Sequence, residues 1–388
     1  MKVIYIFILL LLPFLAKSQD ISFSQFDLNL MYTNPAFAGF EQSTRILSIY
    51  RNQWNGLTEN FNSNYVEMSY SLSDLNKNRI SLGELSAAGG IFLIQDRENT
   101  VFKSYSIGIT PITLHTQLSR KFYLSAGFSN TITINSLDWN NLIFSDQIND
   151  YNNEITSSNA QLPLNFNQTT YVDPSIGLIL TRNSNKKIKS NKMYFIGFSW
   201  HHFATSNKSF YNNQNNLSKV YQKFILHGQY ISSFNTLATS SFKFWKLSYK
   251  HTKQGNNVIQ NDDLGISIVV ENTLQLELGC FVRLARQNLD NNSRVMSESF
   301  IPLIRMRMQI GRNIGMELSY SYDYTLSRLG NINTFSTNEV SLNIYHFRSK
   351  RRSICPMQGD NKTNRKWGSI LNNKNGYQTK NNKRRAIW

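Results

Sequence analysis

Six histidines are the residues from which a metal or acid–base centre could be built: His115, His201, His202, His227, His251 and His346. Zinc chemistry needs ligands at spacings that bring them to one point, such as His-Glu-x-x-His or paired Cys-x-x-Cys units. Neither pattern occurs, and the histidines fall on separate segments. His201 and His202 are adjacent, but consecutive residues of a strand point to opposite faces and cannot share one ion there. No Ser, His and acid set stands in a local context for nucleophilic hydrolysis, and there is no glycine-rich phosphate loop. Asp173, Glu277, Glu317, Asp323 and Glu339 alternate with apolar residues, which assigns them to a solvated inner face and not to catalysis. Neither an enzyme nor a cofactor is therefore expected. Cys280 and Cys355 allow at most one disulfide, and one falls in an alternating segment while the other falls in a basic tail, so no pairing is expected.

The elements that would carry these residues are strands. In the segment from Lys121 to Ile134, Phe122, Leu124, Ala126, Phe128, Ile132 and Ile134 share one face, while Tyr123, Ser125, Gly127, Ser129, Thr131 and Thr133 take the other. This is a period of two. It recurs at Val172, Pro174, Ile176, Leu178 and Leu180, at Tyr194, Ile196, Phe198 and Trp200, and at Ile314, Met316, Leu318, Tyr320, Tyr322 and Tyr324. Hydrophobic residues make up 40% of the chain and aromatic residues 13%, yet no stretch of about 18 apolar residues follows the N-terminus, so they are dispersed by alternation. Fourteen strands are expected, near 44–54, 61–72, 86–96, 101–118, 121–134, 172–182, 192–204, 222–233, 240–252, 262–271, 273–287, 298–311, 314–325 and 337–347. An even number suits a closed transmembrane outer-membrane β-barrel. Taken alternately, the connections separate into a long, Asn-rich set (among them 135–171, 205–221 and 288–297) and a set with tight turns at 119–120, 272 and 312–313. Long loops outside and short turns inside is the barrel rule, and it places both termini in the periplasm. A soluble β-sandwich also alternates, but fourteen long strands with aromatic outer faces and no linker fit it less well. On the barrel reading, a lysine at outward Phe128 should be costly and one at inward Ser129 mild.

The ends differ from the middle. Residues 1–18 read as a signal peptide: a cation at Lys2, an apolar run from Val3 to Leu12, then Ala16-Lys17-Ser18 before Gln19. Residues 19–43 form an expected periplasmic lead-in or plug, 44–347 the barrel, and 348–388 a basic periplasmic tail. That tail holds twelve Lys and Arg against Asp360, so 12 − 1 = +11 of the formal +17. It is too polar to bury a core, and its contacts would be acidic proteins, peptidoglycan or lipid headgroups if it is more than a solvated extension. Export argues against nucleic acid as its partner.

The stretch from Asp20 to Phe40, "DISFSQFDLNLMYTNPAFAGF", followed by Tyr50-Arg51-Asn52-Gln53-Trp54, resembles the N-terminal signature of the PorP/SprF family of Bacteroidetes outer-membrane proteins. Leu142–Asp150, Tyr194–Phe203 and Ser321–Phe347 resemble later landmarks of that family, and Thr33 stands where the family has a hydrophobic residue. The resemblance implies a non-enzymatic outer-membrane component of type IX secretion or gliding motility. Such a protein would sit in outer-membrane lipid and bind periplasmic machinery, or retain a secreted adhesin or surface protein. The alternative is a passive porin or small-solute transporter. As a family-specific structural or partner-binding site the resemblance offers Gln25, Asn34, Pro35, Ala36, Phe37, Ala38, Gly39, Arg51, Asn52, Gln53 and Trp54. An Asn-Pro turn followed by small residues would let the chain pack closely at the barrel mouth.

Overall fold

The computed structural model describes residues 20–347 except 41–42, 57–59, 73–84, 100, 120, 150–153, 156–166, 184–191, 205, 211–218, 234–241, 256–258, 272–273, 290–291, 311–313 and 328–334. The expected signal peptide at 1–18 and the tail at 348–388, with Cys355, lie outside the described residues.

Alternating residues form fourteen long strands: β1 Ser43–Gln53, β2 Phe61–Ser71, β3 Leu85–Glu98, β4 Phe102–Gln117, β5 Phe122–Leu137, β6 Gln168–Asn183, β7 Lys192–His201, β8 Lys223–Ser233, β9 Phe242–Gln254, β10 Ile259–Glu271, β11 Gln275–Leu289, β12 Asn292–Gln309, β13 Ile314–Thr325 and β14 Thr337–Phe347. Each pairs antiparallel with the next. β14 returns to β1 in continuous register from Ser43↔Phe347 to Gln53↔Thr337, which closes the barrel and leaves no free edge. A separate two-residue ladder joins Ile148–Asn149 to Glu154–Ile155. No helix among the described residues is long and apolar enough to cross a membrane; the crossing elements are strands.

The outer surface is apolar by construction. Ile46, Leu178, Ile196, Ile266, Leu318 and Tyr320 are exposed on it, while their sequence neighbours Leu47, Ile179, Phe195, Ser267, Ser319 and Ser321 are buried. On an isolated soluble protein such a belt would be unstable in water; against hydrocarbon it is the favourable arrangement. The mouth at which Ser43 and Phe347 meet is called the near mouth here, and the opposite one the far mouth. The longest connections, 138–167 and 202–222, open at the far mouth.

Four expectations are corrected. The connection expected at 288–297 is mostly strand, because β11 and β12 stay paired out to Leu289↔Asn292. Beyond the membrane an outward residue need not be apolar, so the ladder continues after the apolar alternation stops. His201 and His202 do not point to opposite faces: β7 ends at His201, and His202 takes φ 57°, which turns its ring back inward with 6.3 Å between the two ring centroids. Finally, the acids expected on a solvated inner face are buried, with Glu317 and Glu339 at 0% exposure. Ser129 is buried as well, so the expected tolerance of a lysine there does not follow.

Candidate functional site

What fills the barrel is the chain itself. Residues 20–40 lie within the lumen, running from the far mouth, where Asp20 meets His202 and Lys223, to the near mouth, where Gly39 lies against Ala88. The short helix α1, Leu30–Thr33, and a 3-10 turn, Pro35–Phe37, are its regular parts. Phe23, Leu28, Met31 and Ala38 pack on Leu47, Ile49, Tyr65, Phe92 and Ile94 of the inner wall, which explains why β1 carries apolar residues on a face that would otherwise meet water. Burying each large side chain of this kind contributes about 1.5–3 kcal/mol.

The first part of the segment is held by charge. Asp27 receives two hydrogen bonds from Arg305, at 2.5 and 2.6 Å, and Arg305 is also 3.4 Å from Glu277. The backbone amides of Ser24 and Gln25 donate to the two oxygens of Glu339, at 2.8 and 2.9 Å. The Gln25 side chain accepts from Ser319 at 2.7 Å and donates to Ser321 at 3.2 Å. Arg45 donates to the Leu28 carbonyl at 2.6 Å and to Glu67 at 3.0 Å, and Glu67 in turn accepts from the Met31 amide at 3.2 Å. Arg283 bridges Asp263, 2.7 Å, and the Phe23 carbonyl, 3.2 Å.

The second part is held by shape and neutral hydrogen bonds. Asn34 caps the 3-10 turn: its Oδ1 accepts from the Ala36 amide at 2.9 Å. That fixes the amide orientation, and Nδ2 donates toward the Leu178 and Phe198 carbonyls at 3.2 and 3.1 Å and His227 Nε2 at 3.0 Å. The knuckle fits because Gly127 and Gly177, register partners on β5 and β6, have no side chains. A Cβ at Gly127 would stand 2.5 Å from the Pro35 carbonyl, and one at Gly177 would stand 1.9 Å from Asn34 Oδ1. Gly39 adopts φ 66° and its own Cβ would strike that of Ala88 at 2.3 Å, so both its conformation and its space call for glycine.

A bulge in β4 brings two more groups to this part. Pro111 lacks an amide proton, and the pairing with β5 skips from Ile109 to Ile112. The shift re-phases the strand so that Thr113 and His115 face inward. Thr113 donates to the Pro35 carbonyl at 3.0 Å. His115 Nε2 is 2.9 Å from the Ala38 carbonyl; the carbonyl only accepts, so Nε2 carries the proton and Nδ1 is left to accept from Ser125 at 2.7 Å.

Of the residues singled out from sequence, Gln25, Asn34, Pro35, Ala36, Phe37, Ala38 and Gly39 are gathered inside the lumen. Arg51, Asn52, Gln53 and Trp54 are at the far-mouth end of β1. Arg51 lies 4.0 Å from Glu339, the acid that receives the Ser24 and Gln25 amides, so this one carboxylate links the two halves of the signature. Asn52 pairs with Asn62 across β2 at 2.6 Å, and Trp54, at φ 62°, packs edge-on to Phe61. Arg45, Glu67, His115, His227, Arg305 and Glu339 hold the segment equally but are not among the site residues expected from the sequence. The one mark they left was polarity at inward positions, which a water-filled pore would show too.

At the far mouth, Asp20 accepts from His202 and Lys223, each at 2.9 Å, and Asp173 is 3.3 Å from the other side of the His202 ring. Burial would lower the affinity of His202 for its proton, but the two carboxylates outweigh it and raise its pKa to about 9. Burial likewise pushes the Asp20 carboxyl up, yet Lys223 and His202 hold it well below its usual range. The Lys223 ammonium on Asp20 would repel a cation here, and among the described residues no group of three His, Cys, Asp or Glu side chains could hold a metal ion. Cys280 is a free thiol on the outer wall.

The family described as type IX secretion system membrane protein PorP/SprF matches residues 15–344. No curated protein matches the chain. Solved structures similar to it include the translocator domain of autotransporter NalP from Neisseria meningitidis, with 10% identity, 79% of this chain and 88% of that one covered and a TM-score of 0.34. The beta domain of the Bordetella autotransporter Brka has 8% identity, covers 79% and 100% of the two chains and has a TM-score of 0.38. CdiB from Acinetobacter baumannii has 6% identity, coverages of 79% and 60% and a TM-score of 0.42.

Proposed function

Since the chain belongs to the PorP/SprF family of type IX secretion system membrane proteins and is an outer-membrane barrel, we propose that it is a plugged, non-conducting and non-enzymatic component of that machinery. Its work is to hold other proteins: periplasmic components of secretion or gliding, or a secreted adhesin or surface protein kept at the cell surface. The observation that supports this is the filling of the lumen by residues 20–40, fixed to the wall by charge in one part and by packing in the other. A solute channel needs a continuous wet path, and the inner-wall acids Glu277, Glu317, Asp323 and Glu339 are instead buried. On this reading the near mouth, with both barrel ends, faces the periplasm, and the long connections at the far mouth face outward. The motif residues Gln25, Asn34–Gly39 and Arg51–Trp54 then serve partner binding indirectly, by setting the lumen that shapes both mouths.

Planar-bilayer recording of the purified full chain tests this. The intact barrel should be silent, and a variant lacking residues 20–40 that still inserts should conduct. Steady conductance from the intact barrel would sink the proposal in favour of a porin. Affinity purification from membranes should recover secretion or gliding components with the intact chain. Removing residues 353–388 leaves Tyr345 and Phe347 in β14 and should weaken that recovery in a salt-sensitive way if the basic tail is a periplasmic contact.

A further inference from the structure

Among the described residues, an apolar notch and a cation adjoin on the outer wall. Gly228 lies on β8 between inward His227 and outward Tyr230, and its register partners are Ile196 on β7 and Tyr249 on β9. With no side chain at its centre, this part of the wall opens into a cleft of about 630 Å³ bounded by Tyr194, Ile196, Tyr230, Leu247, Tyr249 and Leu264. A Cβ built on Gly228 would meet the Phe195 carbonyl at 3.0 Å and Ile196 at 3.8 Å. The cleft faces hydrocarbon, where an unfilled notch loses dispersion contacts on every wall.

The near-mouth side of the cleft is aromatic. Tyr194 and Tyr230 stack at 6.5 Å with 20° between their planes, and Trp245 packs on Tyr230 at 5.2 Å. Rings of this kind occupy the headgroup boundary of a bilayer. Against the other side of Tyr194 lies Arg182, next to last in β6. Its guanidinium is 5.5 Å from the Tyr194 ring centroid and 5.8 Å from that of Phe122, and Nη1 donates to the Tyr194 hydroxyl at 3.1 Å. Nε is buried without a hydrogen-bond partner, and among the described residues no carboxylate is within ion-pair distance of Arg182. The inward arginines Arg45, Arg283, Arg305 and Arg307 all have acidic partners. A cation on the lipid face with two rings to orient it and, among the described residues, no acid to neutralise it is open to a counter-charge from outside the chain.

We propose that this wall is a specific site for an anionic glycerophospholipid, with one acyl chain in the cleft over Gly228 and the phosphate against Arg182. The spacing suits such a ligand. Arg182 is two strands from Gly228, about 10 Å sideways, and two residues nearer the rim, about 7 Å along the strand, which is the reach from a phosphate to the upper part of its acyl chain. A guanidinium also matches phosphate geometry better than an ammonium.

Native mass spectrometry of the delipidated full chain in detergent tests the site, with phosphatidylglycerol, phosphatidylcholine of the same acyl chains, and glycerol 3-phosphate as probes. The intact barrel should retain one phosphatidylglycerol in preference to phosphatidylcholine and should ignore glycerol 3-phosphate. Gly228→Leu should fill the cleft and weaken retention of both lipids about tenfold; should that variant not fold, Leu264→Trp fills the same space from the opposite wall. Arg182→Gln should abolish the preference for the anionic lipid, and Arg182→Lys should restore part of it. Heat-modifiable migration checks that each barrel is folded. The proposal is overturned if the folded variants retain phosphatidylglycerol as the intact chain does, if the two lipids bind alike to the intact chain, or if glycerol 3-phosphate displaces the lipid.

Discussion

The two parts of the lumen segment are fixed by different physics. Between Asp20 and Leu28 the polar contacts, made beside the packed side chains of Phe23, Phe26 and Leu28, are ion pairs and charge-assisted hydrogen bonds to Arg45, Arg283, Arg305 and Glu339. Between Thr33 and Gly39 they are a capped turn, neutral bonds to Thr113, His115 and His227, and a backbone laid against bare glycines. A buried charge is costly alone and tolerable when paired, so the first part depends on both partners being present. A close backbone contact depends on nothing being added. Charge therefore makes the first part sensitive to deletion, and packing makes the second part sensitive to insertion.

The largest effect should come from Arg305→Ala, which strands Asp27 and leaves Glu277 with fewer partners; about 3–5 kcal/mol of stability should be lost, read as a lower temperature for loss of the heat-modifiable folded form. Replacing both partners, Arg305→Met with Asp27→Leu, should recover most of it. Gly127→Val should cost about 3 kcal/mol in the same assay, because the added carbons meet the Pro35 backbone and no rotamer relieves that. Here a second change, Asn34→Ala, should give no recovery. A rescue of Gly127→Val as complete as that of the arginine would erase the distinction between the two parts. Asn34→Asp keeps the acceptor that caps the turn and removes the donor facing two carbonyls and His227; about 2 kcal/mol should be lost, with bilayer recordings showing brief openings where the intact barrel shows none.

The smallest effect concerns the far-mouth end alone. His202 has its pKa raised from 6.5 to about 9 by Asp20 and Asp173, so the folded state binds its proton more tightly than the unfolded chain. The stabilisation is complete below about pH 6.5, declines above it, and is gone once the pH passes 9. A fluorophore near Asp20 should gain mobility over that interval, and His202→Gln should remove the pH dependence. Mobility that rises on acidification would reverse the assigned sign.

The wall was legible in sequence for a simple reason: lipid outside and polar groups inside impose a period of two, and Phe122, Leu124, Phe128 and Ile132 follow it. All fourteen strands were visible this way. What the inner face meets was not legible, because a polar residue facing water and one facing a buried partner have the same place in the alternation. Glu339 and Ser129 show this: both were assigned to a wet pore, and both are buried. The reversal at His202 had no mark either, since no glycine or Asn stands there to announce a positive φ. The Asn-Pro stretch stands out in the sequence as a turn followed by small residues, but the glycines that receive it are on strands some ninety and one hundred and forty residues later, where they read only as small residues on a polar face.

The path of residues 20–40 has a consequence for how the molecule is made. Asp20 is held at one mouth and the first strand begins at the other, so the chain is threaded along the axis of a tube made from its own later residues. A bulky knuckle whose Phe37 packs on Phe40 and Phe195 cannot be pulled through a closed wall, least of all one whose last seam is paired along its whole length from Ser43↔Phe347 to Gln53↔Thr337. The wall must therefore be wrapped around the thread, β14 meeting β1 only after the thread is in place.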